Sequence, residues 1–240
     1  MRKWIVLICI LLVGLISRAP TAHALPEAQR VELEASDGLV LVGDFYRPES
    51  EEPVPAVILM HMLSHERGDW ETLLPVLVDD YGMAVLNVDL RGHGETGGST
   101  DWALAEEDVQ AWIDWLREQE GINPDAISLI GASIGSNLAI RGWANDEKIR
   151  TAVALSPGLN FRGVTTEDAV EANADRPLML VSARSDRESA IAVTTLFDLT
   201  NGNALVRLFS GSRHGTDLFD TEDADWLISA IAEWVDSQSQ

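Results

Sequence analysis

Cysteine is almost missing from this 240-residue chain: the single one, Cys9, lies in an apolar leader, so the chain beyond that leader can form no disulfide. Its stability must then come from a hydrophobic core. Lysine is nearly as scarce, with only Lys148 after the leader, and 17 lysines and arginines stand against 39 carboxylates, a formal charge of -22. Losing the three leader cations (Arg2, Lys3 and Arg18) takes that -22 to near -25. A field of this sign repels polyanions, so nucleic acid is excluded as a partner. Anionic lipid surfaces and multiply charged anionic substrates are disfavoured too. Internal repeats and low-complexity stretches are also missing.

The leader itself has the shape of a secretory signal. Arg2 and Lys3 precede an apolar run from Trp4 to Ile16, too short to span a bilayer comfortably, and Ala22-His23-Ala24 offers the small residues that a signal peptidase reads. We expect a signal peptide over 1–24 cleaved after Ala24, with an uncleaved anchor as the alternative. The expected product is secreted or periplasmic, has no stable membrane association, and is one domain over 25–240.

Alternating Val31-Glu32-Leu33-Glu34, the turn Ser36-Asp37-Gly38 and the extended run Leu39 to Phe45 predict an N-terminal hairpin. Six short apolar runs follow: Ala56 to Met60, Ala84 to Val88, Ala126 to Ile130, Thr151 to Leu155, Leu178 to Val181 and Ala204 to Leu208. Runs apolar on both faces suit buried parallel strands. Between them, Val109, Trp112, Ile113 and Leu116, and later Leu227, Ile231, Trp234 and Val235, recur at helical spacing. The predicted fold is α/β: a mostly parallel twisted sheet with an antiparallel N-terminal hairpin and helices on both faces.

One strand, Ala126 to Ile130, runs into Gly131-Ala132-Ser133-Ile134-Gly135, and the apolar segment Leu138 to Trp143 follows. This is G-x-S-x-G in the strand–turn–helix setting it requires, where small neighbours allow a sharp turn that exposes the serine hydroxyl. A serine needs a base to take its proton, and the base an orienting carboxylate. Asp186 lies in a loop beyond Leu178 to Val181, and His214 beyond Ala204 to Leu208, so the order is serine, acid, histidine. Asp175 precedes its strand and Asp217 follows the histidine, so neither stands in the acid's place. His61 and His65 are four apart but lie at a strand end and in a loop, outside any zinc pattern, and no metal or other cofactor is expected.

With these residues the chain resembles the α/β-hydrolase superfamily, in particular its compact dienelactone-hydrolase-like and esterase-like branches. Asp89-Leu90-Arg91-Gly92-His93-Gly94 also looks like that superfamily's D-x-R-G-x-G loop, which makes His93 structural or pocket-shaping. The resemblance implies acyl transfer to water through an acyl-enzyme on Ser133. His61 stands where the superfamily has His-Gly-x, which implies an oxyanion hole from the N–H groups of Ile134 and Leu63, with Met62 as the alternative to Leu63. Glycine is usual where this chain has Met62. The expected substrate is a small-molecule carboxylic ester or related acyl compound. A peptidase or amidase, a lactone or carbon–carbon hydrolase, and a non-catalytic binding protein are the alternatives. Only Ser156 to Pro177 separate two strands where a cap is commonly inserted, so no large cap domain is expected.

Overall fold

The computed structural model describes residues 25–240. The leader, Cys9 and the expected cleavage after Ala24 lie outside the described residues. Eight strands form one sheet in the order β1-β2-β4-β3-β5-β6-β9-β10. They are β1 (Gln29–Glu34), β2 (Val40–Tyr46), β3 (Val54–Met60), β4 (Ala84–Asp89), β5 (Ile122–Ala132), β6 (Ile149–Leu155), β9 (Leu178–Ala183) and β10 (Ala204–Phe209). β2 runs antiparallel to β1 and β4, and every other pairing in the sheet is parallel. This is the α/β-hydrolase fold, as expected, and among the described residues no helix is long and apolar enough to cross a membrane.

Period-two alternation divides the core in two. Ala56, Ile58 and Met60 of β3 pack on one face of the sheet with Val109, Ile113 and Leu116 of α1 (Trp102–Arg117), Leu138 and Trp143 of α2 (Ile134–Asn145), and Val193 and Leu196 of α4 (Arg187–Asp198). Val57 and Leu59 of the same strand point the other way, against Trp70, Leu73 and Leu77 and against Leu227, Ile231 and Val235 of α5 (Ala224–Gln238). Both faces are therefore covered, which is why the strand runs carry so few polar residues. α1 starts where Asp101 accepts hydrogen bonds from the Ala103 and Leu104 N–H groups at 3.1 and 3.2 Å, a side-chain cap on the first turn.

Between β6 and β9 there is no inserted domain. The segment folds into the two-stranded hairpin of β7 (Asn160–Phe161) and β8 (Val164–Thr165) and the six-residue α3 (Glu167–Ala172). The parallel strands β3, β5, β6, β9 and β10 all end on one rim, where an open α/β sheet leaves room for a site.

Candidate active site

The sharp turn between β5 and α2 is made possible by two glycines. A Cβ on Gly131 would overlap the Gly135 carbonyl and lie 2.6 Å from the Ser136 nitrogen, and one on Gly135 would overlap the Met60 carbonyl and lie 2.5 Å from the His61 oxygen. The first lets the turn fold back on itself, and the second lets α2 cross the end of β3 this closely. Between them Ser133 takes φ 51° and ψ -120°, a strained conformation that costs a residue other than glycine about 1–3 kcal/mol. Its N–H donates to the Leu155 carbonyl at 2.8 Å, which ties the turn to the end of β6.

Two further loops converge on this serine. The structure brings His214 Nε2 within 2.8 Å of Ser133 Oγ, and Asp186 Oδ2 within 2.7 Å of His214 Nδ1. Asp186 is largely buried and His214 is about one third exposed at 36 %. A carboxylate can only accept, so Nδ1 carries the proton and Nε2 is left to accept from the serine hydroxyl. The three expected residues therefore form one continuous hydrogen-bonded relay, although they lie 81 and 28 positions apart in the chain.

His61 sits beneath this rim, fully buried, and is not a ligand. Its Nδ1–H donates to the Met62 carbonyl at 2.7 Å, and its Nε2 accepts from the Leu90 N–H at 3.0 Å, so the ring must be neutral to do both. Burial pushes its pKa down to about 4. A histidine that is neutral when folded but titrates near its ordinary 6.5 when unfolded binds fewer protons in the folded state between those two values. Stability is lost as pH falls through that window, by roughly 3 kcal/mol in all. His61→Gln keeps an acceptor for Leu90 without a basic ring. Urea unfolding at pH 7 and pH 4.5 should show the variant losing roughly 2 kcal/mol less than wild type between the two; equal losses would mean that His61 is not buried neutral.

Met62, at the position where glycine was the expectation, is buried with its Sδ against Gly215: a Cβ at Gly215 would lie 2.7 Å from that sulfur and 3.4 Å from Ala132 Cβ. Its side chain thus fills the space beneath the triad loops. Leu63 is half-buried and Ile134 opens α2, whose first N–H groups have no intrahelical partner.

The Asp89 to Gly94 segment serves the scaffold. The buried Asp89 carboxylate accepts from the Arg67 and Glu95 N–H groups at 2.9 and 2.8 Å and also pairs with the Arg67 guanidinium, while Arg91 grips Asp108 at 2.6 and 2.7 Å. His93 donates to the Arg91 carbonyl at 3.0 Å and packs its ring on His61, so it is committed to this loop. His65 meets Asp69, and among the described residues no cluster of three or more potential ligands could hold a metal ion.

Three contacts were not legible beforehand. Ser156, fully buried at φ 52°, accepts the Gly215 N–H on its hydroxyl at 2.9 Å and so fixes the backbone next to His214. Asp69 accepts from Thr216 at 3.0 Å on the other side of that loop. Phe161, on the β7–β8 hairpin, lies with its ring centroid 6.3 Å from that of His214. The Ser156-Pro157-Gly158 turn after a strand was the only sequence sign of the first.

Comparison with known proteins agrees with this architecture. The esterase EstE1, cloned from a metagenomic library, superposes with a TM-score of 0.75 at 20% identity over 92% of each chain. An esterase of Pyrococcus furiosus gives 0.74 at 20% identity over 89% of this chain and 94% of its own. In sequence, a thiohydrolase of Aspergillus aculeatus is 26% identical over 206 residues, 82% of this chain. A polyketide transferase of a Penicillium species is 27% identical over 150 residues, 60% of this chain. The chain spans 62% and 49% of the length of these two relatives. The family model described as X-Pro dipeptidyl-peptidase (S15 family) matches residues 37–199, a span that holds Ser133 and Asp186 and stops before His214. Covering well over half of the chain, that match makes this protein a member of the S15 family of α/β-hydrolases.

Proposed function

We propose that the protein is a serine hydrolase that cleaves a carboxylic ester or thioester through an acyl-enzyme on Ser133, with His214 as base and acid and Asp186 as its orienting carboxylate. The observation that carries this reading is the relay of 2.8 and 2.7 Å from a strained Ser133 through His214 to Asp186. In the first half-reaction Oγ attacks the acyl carbon and His214 Nε2 takes its proton. The imidazolium gives that proton to the leaving oxygen or sulfur, and water then repeats the sequence to release the acid. Asp186 holds the tautomer and stabilises the cation that forms.

The developing oxyanion needs N–H donors. Ile134, directly after the serine, supplies one. For the second, the Met62 carbonyl is held by His61 Nδ1, and in a planar trans peptide the Leu63 N–H points the opposite way. That favours Leu63 over Met62. No step in this chemistry calls on a metal or cofactor.

A second reading is favoured by the family description, since an X-Pro dipeptidyl-peptidase would use the same three residues on an amide. One panel separates the two. A fluorophosphonate should label wild type and spare Ser133→Ala, and p-nitrophenyl butyrate and a butyryl thioester should turn over faster than an Xaa-Pro p-nitroanilide. Faster cleavage of the anilide would establish the peptidase, and failure to label at all would leave a binding protein on a hydrolase fold.

A further inference from the structure

The formal charge of -22 predicts a surface that repels anions, but the cations are not spread evenly. Arg30, Arg67, Arg91, Arg117 and Arg141 each pair with at least one carboxylate. Arg150 and Arg176 donate to main-chain carbonyls, and Arg207 lies over Trp226. Arg47, Arg162, Arg184, Arg187 and Arg213 do none of these things among the described residues, and the last three stand together. All three are exposed and all three flank the triad: Arg184 and Arg187 bracket Asp186, and Arg213 precedes His214. Main-chain bonds from Arg184 to Phe209 and from Ser185 to Gly211, both 2.8 Å, run the two loops side by side. Asp186, between Arg184 and Arg187, is taken by His214, and the next acidic residues in sequence, Glu188 and Asp217, do not pair with these arginines.

Two of the three arginines line a groove of about 430 Å³ on the outer face of α4, together with Ala190, Ile191, Thr194 and Thr195. Arg187, Ile191 and Thr194 follow one another at helical spacing, so the groove is cationic at the triad end and apolar beyond it. Ile191 is 62 % exposed there and offers an apolar surface next to the two arginines. A guanidinium fork suits the oxygens of a carboxylate or phosphate.

We propose that this groove binds the non-reacting arm of the substrate and that the arm is amphiphilic, with an oxyanion held by Arg184 and Arg187 and an apolar stem along Ala190 and Ile191. This rests on the serine-hydrolase reading above and names its substrate class as anionic acyl esters or thioesters. The overall negative field does not prevent it, because carboxylates beyond about 8 Å are largely screened at physiological salt while the two arginines act at contact.

Calorimetric titration of the whole protein with hexyl phosphate and with hexanoate tests binding without turnover, and the stronger of the two identifies the oxyanion. Wild type should bind at least one, the double variant Arg184→Ala/Arg187→Ala should bind it about tenfold more weakly or worse, and Arg47→Ala, at the opposite end of the sheet, should match wild type. In parallel, kcat/KM for p-nitrophenyl hemiglutarate and for 4-carboxyphenyl butyrate, each relative to its uncharged analogue, places the anion on the acyl or the leaving side. One of these ratios should fall about tenfold in the double variant. No binding by wild type, or equal binding by wild type and double variant, overturns the groove. Binding as expected without hydrolysis of any ester overturns the hydrolase reading and leaves the groove standing.

Discussion

Ser133→Ala should lower ester hydrolysis by on the order of 10⁴-fold or more while the protein stays folded. The hydroxyl removed makes one contact in the relay, and its loss opens no cavity of consequence because Ser133 is already partly exposed. The φ of 51° is fixed by the surrounding backbone rather than by the side chain, so alanine inherits the turn unchanged. His214→Ala should cost about as much, and the double variant little more than either, since residues that serve one step lose their value together. Purified variants compared by initial rates and circular dichroism decide the matter. Retention of more than about a tenth of the rate by folded Ser133→Ala, or losses that multiply in the double variant, would sink the triad.

Gly135→Ala should damage both the fold and the chemistry, although it adds one methyl group. The atoms in its way are the carbonyl oxygens of Met60 and His61, which belong to the end of β3 and cannot swing aside as a flexible side chain would. Relief requires α2 to back away from β3. That displaces Ser133 at the head of the helix and the His61–Leu63 segment on the other side at once. We expect a loss of roughly 3 kcal/mol in stability from the overpacking and at least about 10³-fold in rate, because an oxyanion donor alone is worth about 10²–10³. Gly68→Ala is the control: nothing lies within 4 Å of a Cβ there. If Gly135→Ala unfolds at the same denaturant concentration as Gly68→Ala and keeps its activity, the close crossing of β3 and α2 is not what the glycines are for.

The sheet was legible because both its faces are covered. A strand such as β3, with Ala56, Ile58 and Met60 on one side and Val57 and Leu59 on the other, leaves an apolar run that no loop would carry. The relay was legible for a different reason. Strand–turn–helix context marks Ser133, and the chain order required of its partners leaves Asp186 and His214 beyond the ends of the last two strands, β9 and β10. α4 was harder to read: Ala192, Val193 and Leu196 form its buried face, but Ser189 is buried with them while Ile191 and Phe197 are exposed, which blurs the apolar stripe. The β7–β8 hairpin has two residues per strand, too few for any alternation to register. Ser156 shows in the sequence only as a turn residue after a strand, since its role depends on a backbone angle and on Gly215, 59 positions away. A summed charge likewise says nothing of where the arginines stand.

The polarity of β6 has a practical side. Lys148 is the one lysine among the described residues, it is exposed, and it immediately precedes Ile149 at the start of that strand. Ser156 and the triad loops lie past its other end, and seven residues at about 3.3 Å each put roughly 20 Å of sheet between them. Amine-directed coupling to a solid support through this side chain would therefore hold the molecule by its base, with the rim that carries Ser133 turned toward the solution.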